Sequence, residues 1–380
     1  MTATTFIHTS DLQLGMTRWF LAGEAQARFD AARLATLRRL GEVALEHGAE
    51  FIVIAGDVFD SNSLSAQTTG RALEELRRLP VPVYLLPGNH DPLVADSVFR
   101  RLDLPGVHVL ADSQVVAVTE GVELLGAPLL ARKATTDLVR QALDGLEPTE
   151  NIRIMVAHGQ AEARSNEHTP DLIDLAHAES RLAEGTIDYL ALGDTHSAQP
   201  VGASGRVWFS GAPETTDFRD HATAGGGETN SGKALVVQVE KTTTSDAAVQ
   251  VAEVTTGQWT FEALDRELGG EEDVAEFLDA LDAYPDKERT VIKYGLRGTL
   301  DMSATRLLEE GIAQHEPVFA SLRERARLTD LHLEPGPEEL DSLGLTGFAA
   351  TALGELVESA GTDPTARDAV NLFFRLAKEN

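Results

Sequence analysis

Residues 24–46 carry apolar side chains at Phe29, Leu34, Leu37, Leu40 and Val43, close to helical spacing, and residues 65–79 form a second helical stretch. Between them FIVIA, at 51–55, is an uninterrupted apolar run, as expected of a strand covered on both faces. Strand and helix alternate in this way through the first half of the chain, which argues for a layered α/β domain. From about 107 to 127 and from 206 to 263 the pattern shifts to short strands separated by turn residues, expected to pair against the first sheet.

A change of composition follows. The stretch GGEEDVAEFLDALDAYPDKE is strongly acidic, TVIKYGLRGTL reads as a strand, and a helical segment is predicted over 303–325. These features delimit a domain at 1–264 and a smaller α+β domain at 265–335. After EPGPEE a helical segment at 336–380 carries Leu340, Leu343, Phe348, Leu353, Val357, Leu372, Phe373 and Leu376. That apolar set suits either packing back onto the chain or docking on a partner.

With 380 residues the chain has room for two or more cores. It contains no cysteine, which excludes a disulfide framework and a thiolate zinc site. Its start, MTATTFIHTSD, lacks a basic region followed by an apolar core, and no run reaches the roughly 18 apolar residues of a spanning helix. No membrane association is expected, and the cytoplasm is the default location. The net charge of −29 opposes a general affinity for nucleic acid, which rests on lysine and arginine. Bound divalent cations would invert the sign within a pocket. The pairs Arg38 and Arg39, Arg77 and Arg78, and Arg100 and Arg101 are either local basic patches or solvated helix faces.

Five strand-like runs end in residues that can ligate metals. TFIHTS precedes Asp11, FIVIAG precedes Asp57, PVYLLPG precedes Asn89, IRIMVA precedes His158, and DYLALG precedes Asp194 and His196. Taken singly, an aspartate or asparagine after glycine is an ordinary turn former. Independent turns would not be expected to deliver five such loops in this order.

The series SD-x-Q, GD-x-F-D, GNHD, AHG and GD-x-H resembles the calcineurin-like metallophosphoesterases over about residues 4–240. The GDVFD and PGNHD stretches look most like the nuclease subunit of the bacterial SbcCD complex and its eukaryotic and archaeal relatives. The resemblance implies a four-layer α/β/β/α sandwich with a metal site along one edge, and two divalent cations. It implies that Asp57 bridges them, that Asp11 and His196 complete the first, and that Asn89, His158 and Asp194 complete the second. His90 matches the family residue that contacts the scissile phosphate and protonates the leaving oxygen, a role suited to imidazole near neutral pH. The resemblance further implies a capping role for 265–335, a DNA substrate, a coiled-coil ATPase partner resembling SbcC, and a homodimer with a face supplied by 64–105.

Three positions depart from the family pattern. Gln13 stands where the first motif usually has histidine, Asp194 adds a charged oxygen at the last, and Asp60 replaces a histidine that nuclease relatives often place near the substrate. Gln13 remains in the ligand set as a weaker donor. The oxygen-rich set favours manganese, with magnesium, iron or zinc as alternatives. The run Gly227 to Lys233 imitates a P-loop, but Ala234 replaces the required hydroxyl and ALVVQVE reads as a strand, so it is taken as a glycine-rich hairpin connection. Trp19 and Phe20 either stack on a base or anchor the following helix. His108, His168, His177, His221, His315 and His332 lie outside the motifs and are expected at the surface or in packing. The expected activity is metal-dependent DNA exo- or endonucleolytic cleavage. A small-substrate phosphodiesterase and a weakly catalytic metal-binding scaffold are the alternatives.

Overall fold

A computed structural model describes residues 1–161, 169–220, 227–333 and 346–360, together with 362–363, 365–366, 368–370 and 372–373. His168, His221, Leu340, Leu343 and Leu376 lie outside the described residues. The chain divides into two compact units, Met1–Trp259 and Thr260–Asn380.

In the first unit, β1 (Thr2–Thr9), β2 (Phe51–Ile54), β3 (Val83–Leu85) and β4 (Val107–Val109) are successive parallel neighbours. Two antiparallel strands, β11 (Lys233–Thr243) and β12 (Asp246–Thr255), extend this sheet on the other side of β1, giving the order β12-β11-β1-β2-β3-β4. They are longer than the short strands expected here. The second sheet has the order β5-β6-β7-β8-β10-β9. Its strands are β5 (Val115–Thr119), β6 (Val122–Ala127), β7 (Ile152–His158), β8 (Tyr189–Gly193), β9 (Gln199–Val201) and β10 (Val207–Phe209).

The all-apolar composition of β2 follows from its two covered faces. Phe51 and Val53 point into the core between the sheets with Phe6, Tyr84, Ile154 and Tyr189. Ile52 and Ile54 point the other way, with Ile7, against helices α1 (Glu24–Glu46) and α2 (Ala66–Arg77). Leu37, Leu40 and Leu76 meet them there, so the helical spacing in the sequence is the spacing of one buried stripe. The outer face of the second sheet, with Met155 and Leu190, is covered in the same way by α3 (Leu138–Leu143) and α4 (Leu175–Glu184). The result is a four-layer α/β/β/α sandwich. Phe6 stacks on Phe51 at 5.1 Å and meets Tyr189 edge-on at 5.7 Å, which ties the two sheets through one aromatic cluster.

In the second unit, β14 (Thr290–Leu300) pairs in parallel with β13 (Thr260–Leu268) on one edge. It also pairs in parallel with β15 (Ser321–Glu324) and β16 (Asp330–Leu333). The boundary expected at 264 lies within β13, and the second compact unit begins at Thr260. The acidic stretch forms α5 (Glu271–Asp282), which buries Val274, Phe277 and Leu281. Helix α6 (Met302–His315) is shorter than the predicted 303–325, because Pro317 cannot continue a helix and Ser321 already enters β15. In the tail, α7 (Phe348–Ala360) buries Leu353, which packs with Val370, while Phe348 is exposed. Among the described residues, no helix is long and apolar enough to cross a membrane.

Candidate metal centre

Parallel strands place their carboxyl ends on one edge, and that is where the five loops emerge. Asp11 follows β1, Asp57 follows β2 and Asn89 follows β3, while His158 ends β7 and Asp194 follows β8. The first two loops extend the ladder beyond their strands. The amides of Asp11, Gln13 and Leu14 donate to the carbonyls of Gly56, Asp57 and Val58 at 3.0, 2.8 and 2.9 Å. Among the described residues, the non-glycine positions with positive φ are Asp11 (53°), Gln13 (41°), Asp57 (52°) and Asp194 (89°). Backbone strain is therefore concentrated in the predicted ligands, and it turns their side chains toward one point.

The glycines beside them allow the close approach. A Cβ at Gly56 would lie 2.1 Å from Nδ1 of His158, and one at Gly88 would lie 2.1 Å from Oδ1 of Asp57. The Gly-Asp and Gly-Asn pairs are thus more than turn formers, because the missing side chain leaves room for the neighbouring ligand.

The structure brings all the sequence-predicted ligands together. Donor atoms of Asp11, Asp57 and His158 lie within 4.8 Å of one another. Nε2 of His158 is 3.5 Å from Oδ2 of Asp57, 3.7 Å from Oδ1 of Asp194 and 3.1 Å from Oδ1 of Asn89. Nε2 of His196 is 3.7 Å from Oδ1 of Asp11 and 3.4 Å from Nε2 of Gln13. His90 sits at the rim: its Nε2 is 4.0 Å from Oδ2 of Asp57, its Nδ1 is 3.1 Å from the carbonyl of Asp60, and its amide donates to Oδ1 of Asp57 at 2.9 Å.

This donor set fits divalent cations. His158 Nδ1 donates to the carbonyl of Ala55 at 2.8 Å, which leaves its Nε2 lone pair for the cluster. Among the described residues no lysine or arginine is ion-paired with Asp11, Asp57 or Asp194, so imidazoles alone offset their charge. Burial opposes a charge on His158, yet Asp57, Asp11 and Asp194 hold its pKa well above the ordinary value. Burial likewise opposes a charge on His196, and Glu228 and Asp11 raise it to about 9. Burial raises Asp11, whereas at Asp57 burial is outweighed by His158 and by the His90 amide, which lower it. Oε1 of Gln13 is buried with no hydrogen-bond partner, the unfilled acceptor that a cation would satisfy. An excess of buried carboxylate over cationic side chain is the electrostatic requirement of such a site.

Several supporting residues were not singled out from sequence. Asp91 is buried and accepts from the amides of Phe59, at 2.9 Å, and Gly88, at 2.8 Å, so it joins the Asp57 loop to the Asn89 loop. Burial and the charge of Asp57 push its pKa up to about 7. Its position within GNHD was the available signal. Glu228 is buried and lies, through Oε1, 2.6 Å from Nδ1 of His196, while Thr216 Oγ1 lies 2.7 Å from the same nitrogen. The glycine-rich connection of residues 227–233 therefore also supports a candidate ligand. No sequence signal marked that role. Arg33 of α1 is buried, donates to the carbonyl of Leu12 and stacks over Phe29 at 5.2 Å. Gln160 donates to Asp194.

The arginine pairs mostly serve helix faces: Arg38, Arg39, Arg77 and Arg78 are ion-paired with glutamates of their own helices or the neighbouring one. Arg100 and Arg101 donate to backbone carbonyls close by. Asp60 stands beside His90, with Oδ1 3.9 Å from its Nδ1.

The calcineurin-like phosphoesterase family matches residues 4–198. The chain is 28% identical over 214 residues to the uncharacterized metallophosphoesterase YhaO of Bacillus subtilis, covering 53% of this chain and 51% of that protein. It is 28% identical over 257 residues to SbcD, the D component of the SbcCD nuclease of Rhodobacter capsulatus, covering 54% and 61%. It is 26% identical over 161 residues to the DNA double-strand break repair protein Mre11 of Saccharolobus solfataricus, covering 40% of each. The chain thus spans between two-fifths and three-fifths of the length of these relatives.

Proposed function

Because this chain belongs to the calcineurin-like phosphoesterase family, we propose that it hydrolyses phosphodiester bonds of DNA with two divalent cations, manganese by preference. The observation that carries this reading is the position of Asp57, whose buried carboxylate adjoins the buried His158 at 3.5 Å and the rim residue His90 at 4.0 Å. Asp11, Gln13, Asp57 and His196 would hold one cation, and Asp57, Asn89, His158 and Asp194 the other. When bound, the cations neutralise phosphoryl oxygens and make water a better nucleophile.

The chain's own residues do the rest. His158 and His196 present Nε2 because their Nδ1 atoms are engaged by Ala55 and Glu228. His90 keeps Nδ1 on the Asp60 carbonyl, and as an imidazolium it can pass the Nε2 proton to the departing oxygen as the P–O bond breaks. The water oxygen bonds to phosphorus as the P–O bond to the leaving strand breaks; the strand end departs as an alcohol carrying the His90 proton, and the proton lost by the water returns to His90 through solvent.

The choice of DNA draws support from the nuclease and the repair protein among the relatives. A DNA-repair role in the cytoplasm, an SbcC-like ATPase partner, a homodimer through residues 64–105 and a role for the second unit in access and docking belong to the same proposal. Small phosphoesters are the second reading, favoured by the net charge of −29. The test is hydrolysis of end-labelled double- and single-stranded DNA in manganese or magnesium, beside Asp57→Ala and bis-p-nitrophenyl phosphate. Metal-dependent DNA cleavage lost in the variant is the expected result. Cleavage of the small ester alone would replace DNA with the second reading, and no cleavage of either would leave a metal-binding scaffold.

A further inference from the structure

A cleft of about 440 Å³ opens at the carboxyl edge of the sandwich, and no ligand residue lines it. It is lined by Ala111 and Asp112, which follow β4, by Ala127, which ends β6, and by the segment after Ala127 as far as Lys133 and Thr135.

Two observations place this cleft beside the metal centre. Strand β6 pairs in parallel with β7 so that Ala127 stands opposite Ala157, the residue before His158. Neighbouring strands lie about 4.8 Å apart, so a single strand spacing separates the end of β6 from the strand that delivers His158. Leu129 then joins the Asn89–His90 loop on both sides: its amide donates to the carbonyl of Pro87 at 3.2 Å, and its carbonyl accepts from the amide of Leu93 at 2.8 Å. The lining segment is built onto the loop that carries Asn89 and His90.

The volume falls within the roughly 300–1,000 Å³ of small-molecule sites. Ala127, Pro128 and Leu129 supply apolar surface, and Leu130 beside them is 63% exposed. Polar groups are few: Lys133 and Gln141 line the cleft with Asp112, whose Oδ1 already accepts from the amide of Gln114 at 3.0 Å. Apolar surface with a few donors and acceptors suits a flat heterocycle with polar edges. Charge points the same way. Arg132 and Lys133 are exposed and, among the described residues, form no ion pair, although the chain carries a net charge of −29. Two adjacent cations beside a phosphate site favour an anion that continues past it.

We propose that this cleft is the subsite for the nucleoside esterified to the phosphate at the metal centre, with Lys133 meeting the next phosphate of a strand. The subsite rests on the nucleic-acid reading above and deepens it, because sugar and base are then recognised by residues 127–135.

The experiment is titration calorimetry of the full chain in magnesium with inorganic phosphate, thymidine monophosphate and a phosphorothioate-linked thymidine dinucleotide bearing a 5′-phosphate. The native protein should bind thymidine monophosphate at least about tenfold tighter than phosphate. Ala131→Trp fills the cleft and should close that gap, while Ala131→Ser keeps it open. Thr135→Trp, an independent filling of the same cleft, should also close the gap, so a folding defect in one variant does not decide the matter. Lys133→Gln should weaken the dinucleotide about tenfold more than the mononucleotide. Equal weakening of both would keep the nucleoside subsite and assign it to small nucleotides. Equal affinity of native protein for phosphate and thymidine monophosphate, or a gap that persists in both tryptophan variants, would overturn the subsite and leave the metal centre standing. Failure of the native protein to bind any of the three ligands would remove both.

Discussion

Oε1 of Glu228 lies 2.6 Å from Nδ1 of His196, joining a glycine-rich connection to the last ligand loop. The contact holds Nε2 of His196 toward Asp11 and raises the basicity of the ring. Glu228→Gln should keep the fold and weaken metal binding about 10- to 100-fold. Titration calorimetry of the metal-free protein checks this, and an unchanged affinity would show that Glu228 is only structural.

Gly88 controls the placement of Asp57. A Cβ there would fall 2.1 Å from the Asp57 carboxylate, so Gly88→Ala must displace the carboxylate or its loop. A displacement of about 1 Å is expected to lower the hydrolytic rate on the order of a hundredfold. Gly70→Ala in α2, where a Cβ meets nothing within 4 Å, should leave the rate unchanged. Rates measured side by side on one phosphodiester decide the matter, and equal rates would refute the steric argument.

His90 as proton donor predicts a dependence on the leaving group. His90→Ala should lower kcat about 10²- to 10⁴-fold for DNA, whose alkoxide needs the proton. The loss should be much smaller for bis-p-nitrophenyl phosphate, whose phenolate departs unaided. An equal loss on both substrates would instead assign His90 to phosphate binding.

His8 should make the fold acid-sensitive. It is buried between the sheets with Nδ1 3.1 Å from the Tyr189 hydroxyl, and burial pushes its pKa down to about 3. The unfolded imidazole takes up a proton as pH falls through about 6.5, whereas the folded one stays neutral until about pH 3. Its contribution is therefore complete above pH 6.5 and lost progressively below it, by about 2 kcal/mol at pH 5. Urea unfolding at pH 7 and pH 5 should show this difference in native protein and a smaller one in His8→Phe. Equal differences would place the acid sensitivity elsewhere.

Much of the candidate site was legible from sequence because its ligands follow strands, and strands declare themselves by local apolar pattern. FIVIA and the Phe29 to Val43 stripe specify elements through short-range periodicity, and parallel strands bring the residues after them to a common edge. The four-layer architecture follows from those runs taken together with the resemblance of the motifs. The positive φ of Asp11, Gln13, Asp57 and Asp194 is not encoded by any local pattern, since each backbone is held by bonds to loops distant in sequence. The role of Glu228 was hidden for the same reason: 32 positions separate it from His196, and only folding brings their side chains together. Asp91 was visible as a motif letter, but its two amide partners belong to different loops. Trp19 and Phe20 are adjacent letters with no local signal to tell them apart, yet Phe20 packs on Phe218 at 5.5 Å and Trp19 is 83% exposed. Local pattern thus determined β2, the buried stripe of α1 and the order of the ligands. Tertiary structure decided which polar groups lose water and which neighbours replace it, because burial belongs to the packed chain and not to any segment of it.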